Sequence, residues 1–109
     1  MNAPLIANLR AQCDGPRDGA LLRFSLGQAL LGEGDLSAAI AEFRRALGFD
    51  PQYSAAWKLL GKACHAHGDT AAAADAWTRG IAAAQARGDK QAEKEMQVFL
   101  RRLDNARPA

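Results

Sequence analysis

Residues 20–53 lie over residues 54–87 without a gap, and the two stretches then agree at eight positions. Leu26 meets Leu60, Gly27 meets Gly61 and Ala29 meets Ala63. Gly34-Asp35 meets Gly68-Asp69, Ala38-Ala39 meets Ala72-Ala73, and Arg45 meets Arg79. Phe43 and Trp77, or Leu47 and Ile81, agree in kind. A gapless period of 34 residues constrains the fold more than any other feature, because it describes one supersecondary unit built twice and stacked on itself.

Each unit has the makings of a helical hairpin. Leu22, Leu26, Ala29 and Leu30 recur at helical spacing, and Ala39, Ile40, Phe43, Ala46 and Leu47 form the facing stripe. Between them, Gly34 suits the left-handed conformation that ends a helix, and Asp35 can cap the next one through its free amides. Pro51 lacks an amide donor and disfavours helix at Asp50, which closes the unit. Small residues at Gly27 and Ala39 let the two backbones approach while Phe43 fills the space beyond. Composition supports helices throughout: alanine is abundant, and the β-branched residues are only Ile6, Ile40, Thr70, Thr78, Ile81 and Val98.

In this register the chain resembles tetratricopeptide repeat (TPR) proteins, whose unit reads Trp-x2-Leu-Gly-x2-Tyr, then Ala-x3-Phe, then Pro. The second unit carries Trp57, Leu60, Gly61, Cys64, Ala73 and Trp77 at those places. The first carries Arg23, Leu26, Gly27, Leu30, Ala39, Phe43 and Pro51. Arg23 replaces the tryptophan, Leu30 and Cys64 the tyrosine, and Gln85 the closing proline, so the second helix of unit two is expected to run on to Arg87. The resemblance implies an all-α protein of antiparallel hairpins stacked as a short right-handed α-solenoid.

The flanks follow the same period. Leu5, Leu9 and Cys13 align with Ala39, Phe43 and Leu47, so residues 4–13 read as the second helix of a repeat without its first. Gly88-Asp89 punctuates again, and Ala92, Met96, Phe99 and Leu103 share one face of a following helix. Lys94 and Glu95 stand where the family has Leu-Gly, so this is a capping helix, with Lys90, Lys94, Arg101 and Arg102 as its polar face. Six helices are predicted near 4–13, 20–32, 36–48, 54–67, 70–87 and 89–104, in a single domain. Its parts are residues 4–13, repeats at 20–53 and 54–87, a cap at 88–104 and a flexible tail at 105–109.

Chemistry finds little purchase. Cys64, His65 and His67 are close in sequence, yet the two histidines diverge by roughly 200° on a helix. Cys64 and His67 alone do not close a zinc tetrahedron. Cys64 occupies a packing position and reads as an inert thiol, and two cysteines make no disulfide framework. No serine or threonine lies in a nucleophile elbow, and the Gly-Asp pairs join helices rather than following strands, so no phosphate loop is present. No enzyme activity, cofactor or metal is expected. A net charge of +2 without an aromatic-interleaved basic stripe argues against nucleic acid. The absence of a long apolar run or signal peptide argues for a cytoplasmic protein away from membranes. Trp57 and Trp77 are both expected in the core.

Stacked hairpins curve, and the first helices line the concave side. The inner positions are Leu21, Phe24, Gln28 and Leu31 in unit one, and Ala55, Lys58, Lys62 and His65 in unit two. One wall is apolar and the other basic, which predicts a protein-binding groove with Phe24 and Leu31 as its floor and Lys58, Lys62 and His65 opposite. Some family members hold a partner's C-terminal carboxylate with a lysine, asparagine and arginine cluster. The matching positions here are Phe24, Gln28, Leu59, Asp89 and Glu93, so that clamp is missing. The expected function is an adaptor that binds a peptide or helix segment, the alternative being a structural protein that forms a homodimer through the groove or the repeat ends.

Overall fold

The computed structural model describes residues 2–106. Among them are six α-helices and no strand: α1 (Ala3–Ala11), α2 (Ala20–Gly32), α3 (Leu36–Phe49), α4 (Ser54–Ala66), α5 (Thr70–Arg87) and α6 (Lys90–Ala106). Helices α2 with α3 and α4 with α5 form the two hairpins, α1 lies on α2, and α6 lies on α5 and reaches α4. The stack is elongated, 46 × 29 × 18 Å.

Local chemistry sets the helix limits. Gly34, Gly68 and Gly88 take φ of 79°, 86° and 77°, which L side chains rarely adopt. The aspartate after each one caps the next helix: Asp35 accepts from the Ala38 amide, Asp69 from Ala72 and Asp89 from Ala92, at 3.3, 3.0 and 3.1 Å. Asp50 is extended before Pro51, which ends α3. Two boundaries differ from expectation by more than one residue. Helix α1 stops at Ala11 rather than at 13, because Gln12 and Cys13 bond back to Leu9 and Arg10 in a tight turn. Helix α6 continues through Asn105 and Ala106, residues assigned above to a tail; residues 107–109 lie outside the described residues.

The core repeats with the sequence. Phe43 lies fully buried against Gly27, and Trp77 takes the same place against Gly61 one period later. In both hairpins a side chain on the glycine would overlap the ring, so the glycine is what admits an aromatic of that size. Trp77 also donates its indole N–H to the Lys58 carbonyl at 3.1 Å, which satisfies its polar atom in the interior. Trp57 departs from expectation. It is only half-buried, and its indole N–H is spent on the Pro51 carbonyl at 2.8 Å, across the turn between the hairpins.

Arg23, at the family's tryptophan position, is 4% exposed and holds the first hairpin to the loop before it. Its Nε and Nη2 donate to the two Asp18 oxygens at 2.9 and 2.8 Å, Nη1 to Glu42 at 2.9 Å, and Nη2 to Asp14 at 3.3 Å. Asp18 further accepts from the backbone amides of Asp14 and Gly19. The Arg23 guanidinium, foremost among these donors, holds the Asp18 carboxyl down at about 2. A buried cation is tolerable only when paired and hydrogen-bonded like this.

Candidate functional site

The concave positions of the two units meet different surroundings. Leu21 is 70% exposed, and Gln28 is exposed too. Phe24 is half-buried because Tyr53 stacks on it, ring centroids 4.8 Å apart, while its other side approaches Phe43 at 5.9 Å. Leu31 is half-buried against the core. The ring expected as an open floor therefore has an aromatic cover. In unit two, Lys58 pairs with Glu95 of α6 at 3.4 Å, which neutralises that part of the wall.

Lys62 and His65 belong to a distinct cleft of about 450 Å³ between α4 and the C-terminal half of α6. Trp77, Phe99 and Leu103 line it with apolar surface, and Lys62, His65 and Arg102 stand over that surface. Trp77 and Phe99 pack tilted at 5.4 Å, and the Lys62 ammonium lies 4.9 Å from the Phe99 centroid. Among the described residues neither Lys62 nor Arg102 has a carboxylate partner. Two unpaired cations over an apolar floor can receive an apolar group that carries negative charge nearby.

Of the seven predicted groove residues, the cleft brings together Lys62 and His65; Leu21, Phe24, Gln28, Leu31 and Lys58 lie outside it. Phe99, Arg102 and Leu103 were not among the predicted site residues. Phe99 and Leu103 share the apolar face predicted for the capping helix, and that face is the available signal. Arg102, expected on the outer face of the cap, lines the cleft instead. Cys64 is buried, which pushes its thiol above the ordinary range. His65 and His67 are exposed, and no cluster of three metal-ligating side chains occurs among the described residues. No described helix is long and apolar enough to cross a membrane.

Two other depressions are less apt for binding. One, of about 420 Å³, is lined by Arg44, Trp57, Asp75 and Arg79, where Arg79 is already paired with Asp75 at 3.3 Å. The other surrounds the Arg23 network, whose charges satisfy one another.

Comparison with known proteins agrees with the helical-repeat fold. A family model described as tetratricopeptide repeat matches residues 6–54 and 24–92. The TPR repeat-containing protein PA0015 of Pseudomonas aeruginosa is 58% identical over 90 residues, 83% of this chain and 86% of that protein. The solution structure of protein BPP2914 from Bordetella parapertussis is 48% identical, with a TM-score of 0.80 over 93% of this chain and 88% of the other. A tetratricopeptide repeat domain protein from Salinibacter ruber is 26% identical, with a TM-score of 0.78 over 88% of this chain and 96% of the other.

Proposed function

This chain belongs to the tetratricopeptide repeat family, and on that premise we propose that it is a non-catalytic interaction module whose partner docks in the concave cleft between α4 and α6. The fold generally mediates protein–protein contact through its concave side. The observation that carries the assignment to this cleft is the pair of unpartnered cations, Lys62 and Arg102, over the apolar floor of Trp77, Phe99 and Leu103. Clefts of this size that join an apolar floor to a few polar groups are the usual binding sites of small domains. The carboxylate clamp of other family members gives no support to a rival site. Leu59 packs against the core, and Asp89 is engaged by the Ser54 hydroxyl at 2.6 Å and by the cap of α6.

A photo-crosslinking residue at position 66, where Ala66 lines the cleft, or at position 79, outside it, tests the assignment in cell lysate. Capture of a partner from 66 and not from 79, lost again on Lys62→Glu, is expected. Equal capture from both positions overturns it, and capture of a second copy of the chain from 66 replaces it with self-association.

A further inference from the structure

Granted that the cleft is the docking site, its charges and shape narrow what can occupy it. We infer that the cleft takes an internal peptide segment in which one bulky apolar residue has acidic neighbours on both sides.

The floor sets the first requirement. Trp77 is 3% exposed and fixed by its hydrogen bond to Lys58, and Phe99 packs against it, so the floor does not close on itself. A volume of about 450 Å³ accommodates one large side chain and its flanking backbone rather than a folded element. The walls set the second. Lys62 rises from α4 and Arg102 from α6, so positive charge stands on both sides of the floor. The Phe99 ring holds the Lys62 ammonium at the rim by cation–π attraction without cancelling its charge. Further along α4, Lys58 is matched by Glu95, which leaves the uncompensated charge of this wall at the cleft. Asp104, two residues beyond Arg102, turns away from it by roughly 200° around α6. A free C-terminus brings one carboxylate to one side of its last residue and leaves the opposite cation without a partner. An internal segment with acidic residues before and after the apolar anchor meets both.

The full chain is titrated with a short peptide, acetylated and amidated at its ends, that carries one phenylalanine between pairs of glutamates. Binding is read from the Trp77 indole N–H and Phe99 resonances. A twin with lysines for the glutamates should bind about tenfold more weakly, as expected for two rim charges acting together, and added salt should reduce the difference. A twin with alanine for phenylalanine should fail to shift the Phe99 resonances. Lys62→Glu/Arg102→Glu, both surface changes, should reverse the ranking of the glutamate and lysine peptides. Equal binding of those two peptides, an unchanged ranking in the double variant, or binding only to a peptide with a free carboxyl terminus overturns the inference. If no capped peptide binds while crosslinking from position 66 still captures a partner, the inference falls and the docking site stands. Loss of that capture as well removes both.

Discussion

A methyl group on Gly61 would overlap the Trp77 indole, and one on Gly27 would overlap the Phe43 ring. The two aromatics are thus paired with glycines across their hairpins, and the cost of disturbing either pair follows from close packing. Trp77→Ala should destabilise the protein by about 3–5 kcal/mol, the range for truncating a buried large aromatic. A thermal melt within a degree or two of wild type would show that Trp77 does not hold the second hairpin. Gly61→Ala should lose about 1–3 kcal/mol by overpacking against the same ring, a difference that denaturant titration resolves. Asp18 makes a prediction about acid. Its carboxyl is lowered from an ordinary 3.8 to about 2 by Arg23, so its contribution to stability is complete above 3.8 and disappears as pH falls toward 2. Melting temperatures of Asp18→Asn across that window should fall less steeply than those of wild type. Some slope should remain, because Asp50, bonded to Arg87, and Asp89, bonded to Ser54, are lowered as well.

Among the elements, α1 and α6 differ most in how they are held. No residue of α1 is fully buried; Ile6 and Leu9 only lean on the core, and the helix is fastened at its ends. At one end the Asn2 amide donates to the Glu33 carboxylate, and at the other the loop is pinned by Arg23. Helix α6 buries Ala92, Met96 and Leu103, and Asp89 ties its start to Ser54 of α4. Native-state hydrogen exchange should therefore find the α1 amides exchanging fastest and those of α3, α4 and α5 slowest. Protection of α1 equal to that of α4 would contradict this ordering. The sequence treats both flanking helices as amphipathic segments of the same period, and their unequal burial arises from what each one finds to pack against.

For the molecule as a whole, the proposed function divides the concave face between structure and recognition. Phe24 is held between Tyr53 and Phe43, so Phe24→Ala should cost on the order of 2 kcal/mol and lower the melting temperature. Arg102 is exposed, and Arg102→Glu should leave stability within about 0.5 kcal/mol while weakening binding at the cleft. Melting curves measured beside peptide titrations separate the two roles. A Phe24→Ala protein that melts like wild type, or an Arg102→Glu protein that binds acidic peptide undiminished, would contradict the division.

The period, the hairpins, the Gly-Asp turns and the places of Phe43 and Trp77 were all determined by the sequence itself. Each depends on residues close in the chain or on the repeat that copies them: a stripe at helical spacing, a glycine where φ is positive, an aspartate that caps its own helix. The proposed binding cleft was decided by the tertiary structure. Tyr53 covers Phe24, Glu95 neutralises Lys58, and α6 brings Phe99, Arg102 and Leu103 to Lys62 and His65. The residues in each of these meetings lie on different elements. The repeat carries no record of them, because Glu95 and Arg102 belong to the cap that breaks the pattern, and Arg23 breaks it with an ion network where the other unit has a tryptophan. Charge pairing and ring cover are fixed only when helices pack, and that packing leaves one end of the concave face open and positively charged.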